Sequence, residues 1–367
     1  MSQILLQQLN DQDLAWLKQN GVRQQIPSGK TIVQQHQQLE DLFIILNGEF
    51  AATIAKNSKS VLGSAFAALE SDPDLEQEIA RLKSGEIIGE MSFLDISPAS
   101  TTFTTLNNAS VLSIPSHKLK QKLAYDLPFA ARFYRAISLL LSDRFQRLVN
   151  LFLRRRLGQI DPLQDVPMLF GELKDSDVDW MLRQGYLRSA SAGETIIEIG
   201  RPIEHLFIVL RGKLSLAVSE QKNNQLDNIF AVLEQEATPQ ALGREIAKLT
   251  PGEIVGEVGT FDSTLSAVTL STLEDSLLLA IPRRSLLVRL QQDPGMAARF
   301  YRIASIILSG RLQGLISRLG FGKGSYNVGQ TLTSSIEYED EIDLAVMDNI
   351  ALGGARFNWM LKRLRVS

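Results

Sequence analysis

The 367-residue chain has no cysteine, only three histidines, 7% aromatic residues and no strong excess of either charge. Without cysteine there is no disulfide framework, no thiol nucleophile and no zinc–thiolate or iron–sulfur ligation, and a reducing, cytoplasmic setting is expected. Long apolar runs are missing too. Stretches such as Ala136-Ile137-Ser138-Leu139-Leu140-Leu141 fall far short of the roughly 20 residues a membrane-spanning helix needs. The first residues lack the basic start and unbroken apolar centre of a signal peptide, so export is not expected. With 38 basic against 41 acidic residues, no global field draws the chain to nucleic acid, and such a role would need a local basic face.

What is present is self-similarity. Leu9-Asn10-Asp11-Gln12-Asp13-Leu14-Ala15-Trp16 returns as Leu173-Lys174-Asp175-Ser176-Asp177-Val178-Asp179-Trp180, and Leu42-Phe43-Ile44-Ile45-Leu46-Asn47-Gly48 returns in the same register as Leu206-Phe207-Ile208-Val209-Leu210-Arg211-Gly212. Further on, Ser84-Gly85-Glu86-Ile87-Ile88-Gly89-Glu90 answers Pro251-Gly252-Glu253-Ile254-Val255-Gly256-Glu257, and Ala130-Ala131-Arg132-Phe133-Tyr134-Arg135 answers Ala297-Ala298-Arg299-Phe300-Tyr301-Arg302, now three residues further apart. One length change therefore lies between Gly48 and Ser84. The expected organisation is a duplicated domain, 1–158 and 159–319, followed by an unpaired linker and tail, 320–367. The histidines are not part of the repeat: Gly200 aligns with His36 and Asp41 with His205. They fall in no metal-ligand spacing, and no Ser/His/Asp order or carboxylate pair repeats between the copies, so neither a metal site nor catalysis is expected.

Each copy reads as helix, short strands, helix. Asp11-Gln12-Asp13 opens an apolar helical face with a capping-type acidic residue. The β-rich runs Thr31–Val33, Leu42–Leu46, Glu49–Ile54 and Thr101–Ile114 follow, punctuated by Ser28-Gly29, Asn47-Gly48 and Ser84-Gly85, a pattern for a β-sandwich or roll. A long helix is expected from about Leu127 to Arg156, its apolar stripe running through Phe129, Phe133, Ile137, Leu140, Leu141, Phe145, Leu148 and Phe152. In the second copy Met296, Phe300, Ala304, Ile307, Leu308, Leu312 and Leu315 repeat it, so the stripes permit either a homodimer or pairing of the two helices within one chain.

The order Leu-Phe-Ile-Ile-Leu-Asn-Gly-Glu at 42–49 followed by Ser-Gly-Glu-Ile-Ile-Gly-Glu-Met-Ser-Phe-Leu at 84–94, repeated at 206–213 and 251–261, resembles the cyclic nucleotide-binding domain family. The resemblance implies an α+β fold: two eight-stranded, jelly-roll-like β-rolls flanked by helices. It also implies a phosphate-binding cassette in each copy. In that cassette glycine lets backbone approach the ligand, a glutamate accepts from the ribose 2′-hydroxyl, and an arginine neutralises the cyclic phosphate. Gly89, Glu90, Met91 and Ser92 match the first part in copy one, and Gly256, Glu257, Val258 and Gly259 in copy two.

The cassette arginine is absent from both. Its place is taken by Ala99-Ser100-Thr101 and by Leu265-Ser266-Ala267, and no arginine or lysine lies between Glu90 and His117 or between Glu257 and Pro282. A charge-assisted hydrogen bond contributes about 1.5–3 kcal/mol, and stripping one partner from a buried pair costs about 3–5 kcal/mol. Cyclic nucleotide affinity is thus expected to fall roughly ten- to several thousand-fold unless a cation arrives from elsewhere. Two roles remain for Glu90 and Glu257: capping the short helix, or touching a ligand together with Ser100, Thr101, Leu265 and Ser266.

Four further segments are candidates for contacts outside the rolls. The segments between Ile54 and Ile79 and between Val218 and Ile246 exceed a hairpin turn and carry apolar centres, with Phe66 and Leu69 in one, Phe230 and Leu233 in the other. They fit an interaction element or a helix folded over the roll. Arg154-Arg155-Arg156 is the densest basic cluster; it suits contact with nucleic acid or acidic lipid, and its place at a helix C-terminus also satisfies the helix dipole and surface solvation. The tail has an acidic run, Glu337 to Asp343, and then an amphipathic one in which Phe357, Met360, Leu361 and Leu364 share a face with Trp359 at its edge. That face suits a partner groove, an acidic membrane surface or the chain's own domains. After the second long helix there is no room for a winged helix, which argues against DNA binding. The leading expectation is a non-enzymatic regulatory or scaffold protein in signal transduction, acting through protein partners and without a cofactor. The alternative is a sensor of a cyclic nucleotide or another small ligand that switches the long helices.

Overall fold

The computed structural model describes residues 4–55, 76–95, 98–154, 168–218, 244–257, 266, 268–318 and 344–366. Contacts divide the chain into two units, Met1–Arg156 with Ser305–Glu341, and Leu157–Ala304 with Ile342–Ser367.

The first unit opens with α1 (Ile4–Gln8) and α2 (Asp11–Asn20). The cap of α2 is Asn10, one residue before the expected Asp11: its side chain accepts from the Asp13 N–H while the Asp13 carboxylate accepts from the Asn10 N–H. Strands β1 (Val22–Ile26), β2 (Thr31–Val33), β3 (Asp41–Asn47), β4 (Glu49–Ala55), β5 (Glu76–Lys83) and β6 (Ile87–Ile88) follow. A short helix α3 (Glu90–Asp95) leads to β7 (Thr102–Thr105) and β8 (Ala109–Pro115), so the run read as 101–114 is two strands. Helices α4 (Ser116–Tyr125) and α5 (Leu127–Arg154) complete the repeat.

The eight strands form two antiparallel four-stranded sheets, ordered β1-β8-β3-β6 and β2-β7-β4-β5, which is the expected roll. Leu42, Phe43 and Ile44 of β3 face Ile114, Ser113 and Leu112 of β8, and Val33, Phe50, Ile88 and Val111 are fully buried between the sheets. The tight β3–β4 turn demands glycine. Gly48 has φ 94°, and a β-carbon there would lie 2.5 Å from that of Ala109.

In α5, Phe129, Phe133, Ile137, Leu140, Leu141, Phe145 and Leu148 are buried, as their spacing predicts. Arg132 of this helix closes a half-buried bidentate pair with Asp13 at 2.6 and 2.8 Å, tying α2 to α5. Ser305, which belongs to the first unit, has its hydroxyl 2.8 Å from that of Ser138, so the long helices meet within one chain over this stretch. Phe66, Leu69, Phe230 and Leu233, the side chain of Arg154, and Arg155 and Arg156 lie outside the described residues.

The second unit repeats the plan: α6 (Met168–Glu172), α7 (Asp175–Gln184), β9 (Tyr186–Ala190), β10 (Thr195–Ile197), β11 (His205–Arg211), β12 (Leu214–Val218), β13 (Arg244–Leu249), β14 (Ile254–Val255), β15 (Thr269–Thr272), β16 (Ser276–Pro282) and α8 (Arg283–Gln292). Its sheets, β9-β16-β11-β14 and β10-β15-β12-β13, have the order of the first roll. Arg299 pairs with Asp177 at 2.7 and 3.0 Å as Arg132 does with Asp13. Helix α9 (Pro294–Arg318) contributes its residues up to Ala304 to this unit.

The tail forms α10 (Leu344–Leu364), which packs on α6 and α7. Met360 is fully buried and the Phe357 ring lies 5.5 Å from that of Phe170, so these two candidate docking residues are spent inside the unit. Leu361 and Leu364 are half-buried and Trp359 is exposed.

Candidate functional site

The first cassette sits where β6 runs into α3. Gly89 turns the chain with φ 93°, which brings its backbone against Leu39 and the Asp41 carbonyl and starts α3 at Glu90. Gly89, Glu90, Met91 and Ser92 from this turn and Ser100 and Thr101 from the segment before β7 all line one cavity, so the six residues singled out in copy one converge.

Around them the wall is apolar: Leu39, Ala52, Ile79, Leu82, Ala99 and Phe103 come from the roll, Leu148 from α5, and Leu312 and Ile316 from the part of α9 that belongs to this unit. The cavity measures about 60 Å³, room for a few water molecules. Pockets for drug-sized ligands span about 300–1,000 Å³, so this cavity is small beside them.

A cation reaches the cassette from α5. Arg144 donates through Nη1 to Glu90 Oε1 and through Nη2 to the Ile87 carbonyl, and Nη2 lies 3.8 Å from Glu86 Oε2. Arg147, one turn on, reaches Glu86 Oε1 at 3.3 Å and Asp143 Oδ2 at 2.6 Å. The Glu90 side chain is 3% exposed and that of Arg144 11%. Burial pushes the Glu90 carboxyl above its ordinary pKa and the nearby Glu86 adds to this, while Arg144 pulls it back. The glutamate that the family presents to a ribose is here held in an ion pair with the chain's own helix. Its two expected roles are thereby joined by a third: Glu90 begins α3 and anchors α5.

Residue-by-residue reading missed Arg144 because it is 54 positions from Glu90 and embedded in an apolar stripe. A signal was there: Arg144 returns as Arg311 with the displacement that takes Glu90 to Glu257. In the second copy Gly256 keeps φ 92°, with a β-carbon there only 2.6 Å from the His205 carbonyl, and Glu257 and Ser266 are buried. Val258, Gly259 and Leu265 lie outside the described residues. Glu253, the equivalent of Glu86, is buried and accepts from the Thr250 N–H and, at 3.1 Å, from the Thr250 hydroxyl. No cluster of metal-ligating side chains occurs among the described residues, and no helix among them is long and apolar enough to cross a membrane.

Each unit is thus an eight-stranded roll with a glycine–glutamate turn after its sixth strand. The sequence signature of the cyclic nucleotide-binding domain matches residues 23–126 and 187–293, together more than half of the chain, and the chain belongs to that family.

Solved structures similar to it include the regulatory domain of Toxoplasma gondii PKA with cAMP, at 14% identity over 80% of this chain and 89% of that one with a TM-score of 0.28. The regulatory subunit of a cAMP-independent protein kinase A from Trypanosoma brucei gives 15% identity over 80% and 89%, with a TM-score of 0.27. A cyclic nucleotide-binding domain from Methylobacillus flagellatus gives 21% identity over 41% and 76%, with a TM-score of 0.35. A comparison with curated proteins finds no match.

Proposed function

We propose that the chain is a non-catalytic regulatory module in which the first cyclic nucleotide-binding domain is closed from within and acts through protein contacts instead of a nucleotide. The observation that carries this is the buried ion pair between Glu90 and Arg144, set beside a cavity of about 60 Å³. A cyclic phosphate entering this site meets no cationic group on the cassette itself, a guanidinium engaged by Glu90 and the Ile87 carbonyl, and a second, Arg147, engaged by Glu86 and Asp143. Taking Arg144 for the phosphate would leave the buried Glu90 without its partner, a cost that offsets most of the new contact. The cassette thus works as a clasp that fixes α5 to the roll. The cysteine-free composition suits a cytoplasmic place of action.

A ligand that binds the folded state raises its melting temperature by mass action. A thermal-shift screen of cyclic mono- and dinucleotides at about 1 mM is expected to move the transition by less than about 1 °C. A shift of several degrees with any of them would overturn the proposal.

The residual cavity supports a second reading, a sensor for a compound smaller than a nucleotide. Its apolar wall and the rim formed by Arg144 and Arg147 favour a small, largely apolar molecule whose entry loosens α5 from the cassette. Stabilisation by such compounds in the same screen, with none from cyclic nucleotides, would select this reading.

A further inference from the structure

The duplicated start of the two units is covered by α10 in the second, while in the first no described residue bonds the matching carbonyls. In the second unit, Arg356 of α10 donates to the carbonyls of Phe170, Gly171 and Leu173 at the end of α6, and to the Asp175 carboxylate at 2.7 Å. Phe357 packs on Phe170, which is fully buried. The repeat places Leu6, Gln7, Leu9 and Asp11 of the first unit at the positions of Phe170, Gly171, Leu173 and Asp175.

There the apolar residue is retained but Leu6 is 54% exposed, and Asp11 is exposed as well. No hydrogen bond reaches the carbonyls of Leu6, Gln7 or Leu9 from the described residues. The first unit therefore presents the same chemistry that seats α10 in the second: a helix end with open carbonyls, an acidic side chain beside it and an apolar residue between them. Carbonyls at a helix C-terminus attract a cation, and an arginine can satisfy several at once.

We propose that the α1–α2 corner of the first unit is a docking site for a partner protein's amphipathic helix carrying an arginine followed directly by a large apolar side chain and a second apolar residue three positions on, the pattern of Arg356, Phe357 and Met360. Charge complementarity favours the arginine: it meets Asp11 and three carbonyls, as Arg356 meets Asp175 and its three. A second copy's α10 is the weaker occupant, because each α10 is tethered near its own site, where the effective concentration of a linked segment reaches the millimolar range. The site is independent of the cassettes, and its failure would leave the nucleotide reading standing.

The probe is a fluorescein-labelled peptide of residues 344–366 titrated onto the full chain, whose own α10 site is filled. Saturable one-to-one binding is expected. Leu6→Asp in the protein and Arg356→Ala in the peptide should each weaken it at least tenfold, while Asp175→Ala in the protein should leave it unchanged. No binding, binding indifferent to Leu6→Asp, or binding altered only by Asp175→Ala would overturn the proposal. Sedimentation of the full chain without peptide separates the remaining case: concentration-dependent self-association abolished by Leu6→Asp would make the occupant a second copy and overturn the partner assignment. Leu6 is exposed in the folded chain, so its replacement by aspartate is not expected to unfold the protein; an unchanged melting temperature verifies this.

Discussion

Replacing Arg144 by methionine removes the cation while keeping most of the apolar stem. Glu90 is then 2% exposed with no partner from α5, and Glu86 keeps only Arg147, at 3.3 Å. An uncompensated buried charge costs about 3–5 kcal/mol, but Glu90 has a way out, which is to take up a proton. In the unfolded chain a glutamate has a pKa of about 4.3, so holding it neutral at pH 7 costs roughly 4 kcal/mol. That figure is the ceiling on the part of the loss that Glu90 carries.

The sign follows from the direction of the shift. Burial raises the folded-state pKa of Glu90, so its contribution to stability is fullest below the ordinary glutamate value and is lost as pH rises through the raised one. The defect in the variant must therefore shrink in acid, to about 1 kcal/mol at pH 5. Amide hydrogen exchange of the segment through β6 and α3 reads this locally: at pH 7, about 3 kcal/mol corresponds to exchange faster by roughly a hundredfold relative to the parent chain. Adding Glu90→Gln should restore much of the protection. A variant that exchanges like the parent at pH 7, or a loss that does not shrink at pH 5, would refute the reasoning.

The other predictions concern the fold that carries the cassette. Asp13→Ala removes a capping acceptor and a bidentate partner of Arg132, whose side chain is 34% exposed, and should cost about 2 kcal/mol in urea unfolding; Asp177→Ala, facing an Arg299 only 20% exposed, should cost more. Gly256→Ala places a methyl group 2.6 Å from the His205 carbonyl at φ 92°, whereas in Gly89→Ala the nearest atom is a flexible Leu39 methyl group at 3.1 Å; thermal melts should show the first variant losing at least about 1 kcal/mol more than the second. The Asp126 carboxyl is held below its ordinary pKa by hydrogen bonds from Lys122 and the Phe129 N–H, so its stabilisation is present above the ordinary aspartate value and is lost as pH falls through the lowered one; carbon-13 titration of its carboxyl should give a midpoint below that of a free aspartate.

The parts of the fold legible in the sequence were the local ones. Glycine turns such as Asn47-Gly48 and the fully buried run of β8 are set by backbone geometry and hydrophobic pattern, and the internal repeat doubled every such signal. The cassette positions converged because they lie at the start of one short helix and just after its end. What could not be read was which side chains meet across distance. Arg144 stands inside an apolar helical stripe, and nothing local pairs it with Glu90, 54 positions away. The tail's periodicity gave α10 a buried face at Phe357 and Met360 but not its seat, since that depends on three carbonyls of α6, and carbonyls carry no sequence signal. The cap of α2 is Asn10 and not Asp11 because Asn10 and Asp13 each accept from the other's backbone N–H; that Asp13 also takes Arg132 shows only once the helices pack.

The central claim is that the first cassette is filled by the chain's own Arg144 and no longer serves a cyclic nucleotide. Isothermal titration of the full chain with cAMP, and separately with cGMP, tests it most directly. The account predicts no saturable heat at ligand concentrations up to about 1 mM, equivalent to binding weaker than about 4 kcal/mol. Micromolar affinity for either nucleotide, lost on Glu90→Gln, would contradict it.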